Sequence, residues 1–133
     1  MKNTLKTLLI ATLIISLSAC KDDESTPEPP AVNFLFADPI SEKAYGFGDT
    51  VHINGVITFD NELHGYELNI HSEHFDSTVH TVHNHEDGKT IHVHSHWVND
   101  LTHHTDMTLT IDALTDHDGT KGTKVIHFHC HPM

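Results

Sequence analysis

Histidine is the residue type that could do the most chemistry in this sequence, since it makes up 16 of 133 residues. Several histidines alternate with other residues, as in His92-Val93-His94-Ser95-His96. Alternate residues of a β-strand project from the same face, so this spacing places imidazoles in rows. Imidazole nitrogens bind zinc, copper and nickel, whereas calcium and magnesium prefer oxygen ligands. The pattern therefore predicts a transition-metal site.

The densest group of histidines flanks Asp87-Gly88, a dipeptide typical of two-residue hairpin turns. Counting outward from that turn predicts two antiparallel strands in which His83 faces His92. Five imidazoles would share one face of this hairpin: His83, His85, His92, His94 and His96. Because adjacent strands lie about 4.8 Å apart, we expect His83, His92 and His94 to converge on one tetrahedral metal ion.

A second row of imidazoles is expected on the last strand, residues 123–131. One side of this strand would carry His127, His129 and His131. Cys130 would point to the other side, where a small apolar residue of the core is a better interpretation than a metal ligand.

In the usual strand order of a β-sandwich, the last strand pairs with residues 107–114, which pair with residues 65–74. His71 and Glu73 would then lie on the same sheet face as the second row, one strand away, with Asp112 between. A mixed histidine and carboxylate metal site is a further hypothesis for this face.

Most of the other histidines are not expected to bind metal. Those in predicted loops are expected to be solvated: His64, His74, His103, His104 and His117. The His103-His104 pair is an additional source of a metal ligand at the rim of a site. His80 falls on the apolar side of its strand and is expected to be half-buried and hydrogen-bonded.

The first 19 residues have the pattern of a lipoprotein signal peptide, with Lys2 and Lys6 before an apolar run at 8–17. That run is too short to span a bilayer as a helix. Leu17-Ser18-Ala19-Cys20 resembles a lipobox, which implies cleavage before Cys20 and its acylation, for example by palmitate. The alternative is an ordinary secretory peptide cut near Ala19.

Residues 20–31 are predicted to be the lipidated cysteine and a disordered acidic tether, because residues 21–30 include no hydrophobic side chain. Lys21-Asp22-Asp23-Glu24 resembles the acidic signal of surface-exposed lipoproteins, whereas a plain solvated spacer is the alternative. The predicted location is the cell envelope, as an outer-membrane lipoprotein facing the periplasm or the surface. The folded domain is predicted over residues 32–133.

Charge excludes several classes of partner. The formal net charge is −12, arginine is absent, and removal of residues 1–19 would make the charge −14. Nucleic acid and anionic lipid head groups need a basic surface, so neither is an expected partner, and acyl chains would provide the membrane contact. An acidic surface attracts cations. Acylation of Cys20 would leave Cys130 as the only thiol, so no intrachain disulfide is expected.

Short alternating apolar segments separated by turn residues predict about seven strands and no helix. This pattern favours an all-β, immunoglobulin-like sandwich of two antiparallel sheets. A small up-and-down β-barrel is the alternative. The Cys-Trp-Cys hallmark of antibody domains is absent from the sequence.

Three further motifs accompany the lipobox and tether: Gly48-Asp49-Thr50-Val51, Gly65-Tyr66-Glu67-Leu68-Asn69-Ile70 and Asp116-His117-Asp118-Gly119. With them the chain resembles a family of small Bacteroidetes lipoproteins with an Ig-like domain of unknown function, the domain-of-unknown-function 4625 type. The resemblance implies an Ig-like fold and an envelope location, and it implies no established activity.

The predicted function is capture, buffering or delivery of transition metal ions, with zinc first and copper or nickel as alternatives. The predicted ligands are His71, His83, His85, His92, His94, His96, His127, His129 and His131. We expect a binding protein and no catalytic residue. Three other functions stay open. They are a zinc hydrolase with Glu73 or Glu86 as general base, a copper redox site at residues 129–133, and an adhesion or assembly module without metal.

Overall fold

The computed structural model describes residues 31–132. The predicted signal peptide, the predicted acylation site Cys20, residues 21–30 of the predicted tether and Met133 lie outside the described residues. Residues 31–132 contain eight β-strands and no helix. No helix with the length and apolar character needed to cross a membrane occurs in this part of the chain.

The strands form two sheets with the orders β1-β3-β6 and β2-β8-β7-β4-β5. Their bounds are β1 Asn33–Asp38, β2 Ala44–Tyr45, β3 Thr50–Leu63, β4 Tyr66–Ser72, β5 Ser77–Asn84, β6 Gly88–Val98, β7 Thr105–Leu114 and β8 Lys121–Cys130. All neighbours are antiparallel except β2, which runs parallel to β8.

Alternation of apolar and polar residues explains why the two sheets stack. Each long strand has one buried row and one solvent-facing row, and the buried rows of both sheets meet in a single core. The largest fully buried side chains are Phe128, Ile53, Ile57, Leu63, Leu68, Ile70, Ile91, Met107, Leu109 and Ile111. The polar and imidazole side chains are left on the two outer faces.

This arrangement confirms the predicted Ig-like β-sandwich. In immunoglobulin nomenclature, β1, β3 and β6 occupy the A, B and E positions, and β4, β5, β7 and β8 occupy C, C′, F and G. The predicted neighbours of the last strand are also confirmed, because β8 pairs with β7 and β7 with β4. The two-residue strand β2 was not predicted, since so short a segment has no periodicity.

The predicted hairpin at Asp87-Gly88 is wrong. Strand β5 pairs with β4 in the five-stranded sheet, while β6 pairs with β3 in the three-stranded sheet. Residues 85–87 therefore cross between sheets. Neither Asp87 nor Gly88 has the positive φ that a type I′ turn needs. The crossing lets Val82 of β5 and Val93 of β6 contribute to one core from opposite sheets.

Candidate metal-binding surfaces

The outer face of the three-stranded sheet, which we name the imidazole face, carries four histidines. His52 of β3 lies directly opposite His96 of β6. Strand β6 also carries the other two histidines, His92 and His94. Side chains directly opposite on adjacent antiparallel strands have Cβ atoms about 4.5–5.5 Å apart. His52 was not among the predicted ligands, although the alternation of β3 had placed it outward.

His94 has a defined orientation on this face. Its Nδ1 lies 3.1 Å from Oδ1 of Asn54, the residue opposite it in the ladder. Because an amide oxygen only accepts hydrogen bonds, Nδ1 of His94 carries the proton. Nε2 then presents its lone pair to solvent, as in metal-binding histidines whose other nitrogen is held by a hydrogen bond.

Along β3 and β6, the imidazole face has acidic residues at one end only, because the exposed Asp60 and Glu62 lie near the end of β3. Over the continuously paired residues 50–58 of β3 and 90–98 of β6, the outward ladder positions are Thr50, His52, Asn54, Val56 and Thr58, and Thr90, His92, His94, His96 and Val98. None of these residues is Asp, Glu or Lys, although the whole chain has 19 acidic residues. Neighbouring Leu35 of β1 leaves 63% of its surface exposed.

The outer face of the five-stranded sheet, which we name the carboxylate face, has the opposite character. Its ladder positions include three acidic residues, Glu67, Asp106 and Asp112. His83 lies on this face, with Nδ1 3.7 Å from Oε2 of Glu67. Because β5 and β6 belong to different sheets, His83 is on the opposite outer face of the domain from His92 and His94.

Two carboxylates hold His129 on the carboxylate face. Its Nδ1 lies 2.8 Å from Oδ1 of Asp106, and its Nε2 lies 3.1 Å from Oε2 of Glu42. The hydrogen bond with Asp106, followed by that with Glu42, raises the pKa of His129. When protonated, His129 donates to both carboxylates and has no lone pair for a metal ion.

His127 and His71 lie on the carboxylate face on either side of Thr108, as the sequence predicted. The Thr108 hydroxyl donates to Oε1 of Glu73 at 3.1 Å and lies 3.2 Å from Nδ1 of His127. Thr108 therefore accepts the Nδ1 proton of His127 and leaves its Nε2 free. His71 is two strands from His127, about 10 Å away, so their rings do not converge.

Asp112, expected between these histidines, has other partners. Nζ of Lys121 lies 2.6 Å from its Oδ2, and the Thr123 hydroxyl donates to its Oδ1. The contact with Asp112 raises the pKa of Lys121. Asp112 therefore belongs to an ion pair with β8 and does not join a histidine site.

Histidines expected to be solvated in loops meet in pairs at the ends of the sandwich. The ring centroids of His64 and His117 are 4.2 Å apart, and those of His74 and His103 are 4.9 Å apart. Nδ1 of His104 lies 3.0 Å from Nδ1 of His131, which follows the last strand. Loops joining antiparallel strands alternate between the two ends, so strand counting offered a signal for these neighbours.

Buried Asn99 positions the segments that carry His104 and His131. Its Nδ2 donates to the carbonyl oxygens of Tyr45 at 3.2 Å and Gly46 at 2.9 Å, and its Oδ1 accepts from the Leu101 amide at 3.2 Å. The His131 amide donates to the same Tyr45 oxygen at 2.8 Å. The loop after β6 and the end of β8 are therefore both hydrogen-bonded to residues 45–46.

The predicted convergence of His83, His92 and His94 is wrong, because the hairpin on which it rested does not form. Within residues 31–132, no group of three or more His, Cys, Asp or Glu side chains is arranged to hold a metal ion. His85 is exposed in the crossing segment between β5 and β6. Cys130 is fully buried, and burial raises the pKa of its thiol to about 12, as expected for a core residue.

The prediction for His80 agrees with the structure. His80 is half-buried, and its Nε2 lies 3.3 Å from the Ser95 hydroxyl of the facing sheet. Burial, followed by the proximity of His96, lowers the pKa of His80. In the turn between β7 and β8, Oδ1 of Asp116 accepts the backbone amides of Asp118 and Thr120.

Fold and surface together define a class of protein, an Ig-like β-sandwich with imidazoles on both outer faces and in paired loops. The chain belongs to the family described as Domain of unknown function (DUF4625), whose model matches residues 18–116. No curated protein matches the chain. Membership confirms the resemblance to a domain of unknown function of the 4625 type, and the family's description names no activity.

Proposed function

We propose that this protein is a lipid-anchored envelope protein that binds transition metal ions through pairs of imidazoles, with zinc as the leading ion. The observation that carries the proposal is the 3.0 Å separation of the His104 and His131 Nδ1 atoms. A tetrahedral ion with zinc–nitrogen bonds of about 2.0–2.1 Å would hold two such nitrogens about 3.3 Å apart. A metal ion would therefore replace the proton shared by the two rings with only a small displacement.

A two-imidazole site suits capture and release better than a structural role. Structural zinc sites have four protein ligands, whereas a pair of imidazoles leaves the other positions to water or to a receiving protein. The acidic surface would raise the local concentration of cations around these pairs. The same nitrogens would bind copper or nickel, and the supply of each metal would decide which one is carried.

The envelope part of the proposal rests on the sequence of residues 1–20. Acylation of Cys20 would place the domain at a membrane surface, where metal ions are exchanged with the exterior. A Cys20→Ser variant expressed in the native host should lose palmitate labelling and leave the membrane fraction. Unchanged labelling would contradict the lipidation of Cys20.

Calorimetric titration of untagged protein with zinc tests the imidazole pair. In the His104→Ala/His131→Ala variant, one zinc-binding event per chain at neutral pH should disappear. The matched control is His83→Ala/His85→Ala, which also removes two exposed histidines but leaves the pair intact, and it should bind as the unmodified chain does. Unaltered affinity in the first variant would contradict the assignment of this pair.

The pH dependence provides a separate check on imidazole ligation. Protons compete for the same nitrogens, so zinc affinity should fall as the pH drops below about 6.5. Equal affinity at neutral and mildly acidic pH would show that imidazoles are not the ligands.

A further inference from the structure

The imidazole face carries a pair of directly opposed histidines near one end of the ladder between β3 and β6. His52 and His96 are directly opposite on adjacent strands and both are exposed, so their rings extend into solvent side by side. Two imidazoles fill half of a tetrahedral coordination shell. Within residues 31–132 no third histidine, cysteine or carboxylate completes such a group. The missing ligands for a closed site must then come from another molecule.

The charge distribution favours a second copy of this chain as that molecule. Two chains, each with a formal net charge of −12, repel each other over most of their surfaces. The paired part of the imidazole face is the exception, because the outward ladder positions within 50–58 of β3 and 90–98 of β6 include no acidic residue, and Asp60 and Glu62 lie beyond them near the end of β3. Two copies can therefore approach through this part of the face without opposing carboxylates.

The same face offers apolar contact around the histidines. Leu35 is 63% exposed and Val98 is 47% exposed, at opposite margins of the sheet. Both side chains would lose water contact if a second sheet covered the face. The face thus combines a central stretch without carboxylates, exposed apolar margins and a pair of opposed imidazoles.

We propose that two copies of this chain dock through their imidazole faces around a shared zinc ion, each providing His52 and His96. The two-fold axis of this dimer would pass through the ion, so that the same pair from both copies forms a four-imidazole tetrahedral site. His94, whose Nε2 is free, would lie beside the ion on each copy. This inference rests on the proposed zinc binding by imidazoles and adds the partner that completes a site.

Analytical ultracentrifugation of the untagged protein, with and without about two equivalents of zinc, tests the proposal. The expected result is a monomer in chelator and a doubled mass in zinc that returns to monomer when chelator is added. The His52→Ala/His96→Ala variant should remain a monomer in zinc and bind about half an ion less per chain. The matched control, His71→Ala/His127→Ala on the carboxylate face, should dimerise as the unmodified chain does.

A second variant separates docking from ligation. Leu35→Glu places a carboxylate at the margin of the imidazole face and leaves every histidine in place, so it should weaken the zinc-dependent dimer by at least tenfold. Circular dichroism melting identifies any variant that fails to fold, and the exposed positions of Leu35, His52 and His96 make unchanged melting the expected result.

The outcomes distinguish this inference from the function on which it rests. Zinc binding by a protein that stays monomeric would overturn the dimer and leave metal binding by imidazoles in place. Absence of zinc binding would overturn both. A dimer that forms in chelator, or that survives in zinc in the His52→Ala/His96→Ala variant, would show that the two copies meet without the shared ion.

Discussion

Removal of the Asn99 side chain should strongly destabilise the domain. Asn99 is fully buried and links the loop after β6 to the segment leading into β3. In Asn99→Ala, four hydrogen bonds are lost, namely those from Nδ2 to the carbonyl oxygens of Tyr45, Gly46 and His131 and that from the Leu101 amide to Oδ1. The substitution creates no steric clash, so the loss of hydrogen bonds dominates the expected change in stability.

The size of the expected loss of stability depends on the hydrogen bonds that the former partners of Asn99 keep in the variant. The Tyr45 carbonyl still accepts from the His131 amide at 2.8 Å, and the Gly46 carbonyl from the Asp49 amide at 3.1 Å. Only the half-buried Leu101 amide loses its acceptor. With a net value of about 0.5–1.5 kcal/mol per hydrogen bond, the free energy of unfolding should fall by about 2–3 kcal/mol. For a domain of this size, that loss lowers the melting temperature by about 10–20 °C.

Thermal and urea denaturation followed by circular dichroism measure this change. Asn33→Ala, at an exposed position of β1, is the matched control and should alter stability by less than about 0.5 kcal/mol. In folded Asn99→Ala, zinc affinity at the His104 and His131 pair should also fall, because the loop is less constrained. A melting temperature within about 3 °C of the unmodified chain would refute the assigned role of Asn99.

Three other predictions follow from the geometry. Gly65→Ala should cost roughly 2–4 kcal/mol of stability in urea denaturation, because Gly65 has φ +125° and an added Cβ would collide with the Asn84 carbonyl oxygen; near-unchanged stability would contradict this. The pKa of His129 is raised by its carboxylates, so its stabilisation is complete below the unfolded-state value of about 6.5 and is lost as the pH rises through the folded-state value. The melting temperature of His129→Gln should therefore differ from that of the unmodified chain more at about pH 6 than at about pH 9, and equal differences would argue against the raised pKa. Burial raises the pKa of the Cys130 thiol to about 12, so mass mapping should find it unmodified by maleimide until the protein is unfolded; rapid labelling in the folded protein would show that the thiol is accessible.

Much of the fold was predictable because strand periodicity is a local property. Alternation in residues 107–114 and 123–131 identified β7 and β8 and separated the buried side chains from the outward ones. The same alternation placed Cys130 in the core and His127 on the surface. The order β8-β7-β4 was predictable because the corresponding strands of an Ig-like sandwich usually pair in this order.

The hairpin prediction failed because a turn preference is worth less than burial of two apolar rows. Asp87-Gly88 favours a tight turn locally, but a turn there would have placed β5 and β6 in one sheet. In the folded domain β5 forms the edge of the five-stranded sheet, and β6 pairs with β3 in the other sheet. Each strand thereby has a hydrogen-bonded partner and also a facing sheet, whereas an isolated hairpin has no facing sheet.

The sequence by itself determined the number of imidazoles and the side of its own strand on which most of them lie. Both follow from residue identity and from the two-residue repeat of extended backbone, which needs no knowledge of neighbours. Only the tertiary structure decided that His83 and His92 face away from each other, that His52 meets His96, and that His104 meets His131. Those neighbours depend on how the apolar rows of all the strands pack together, which the sequence of one segment does not determine.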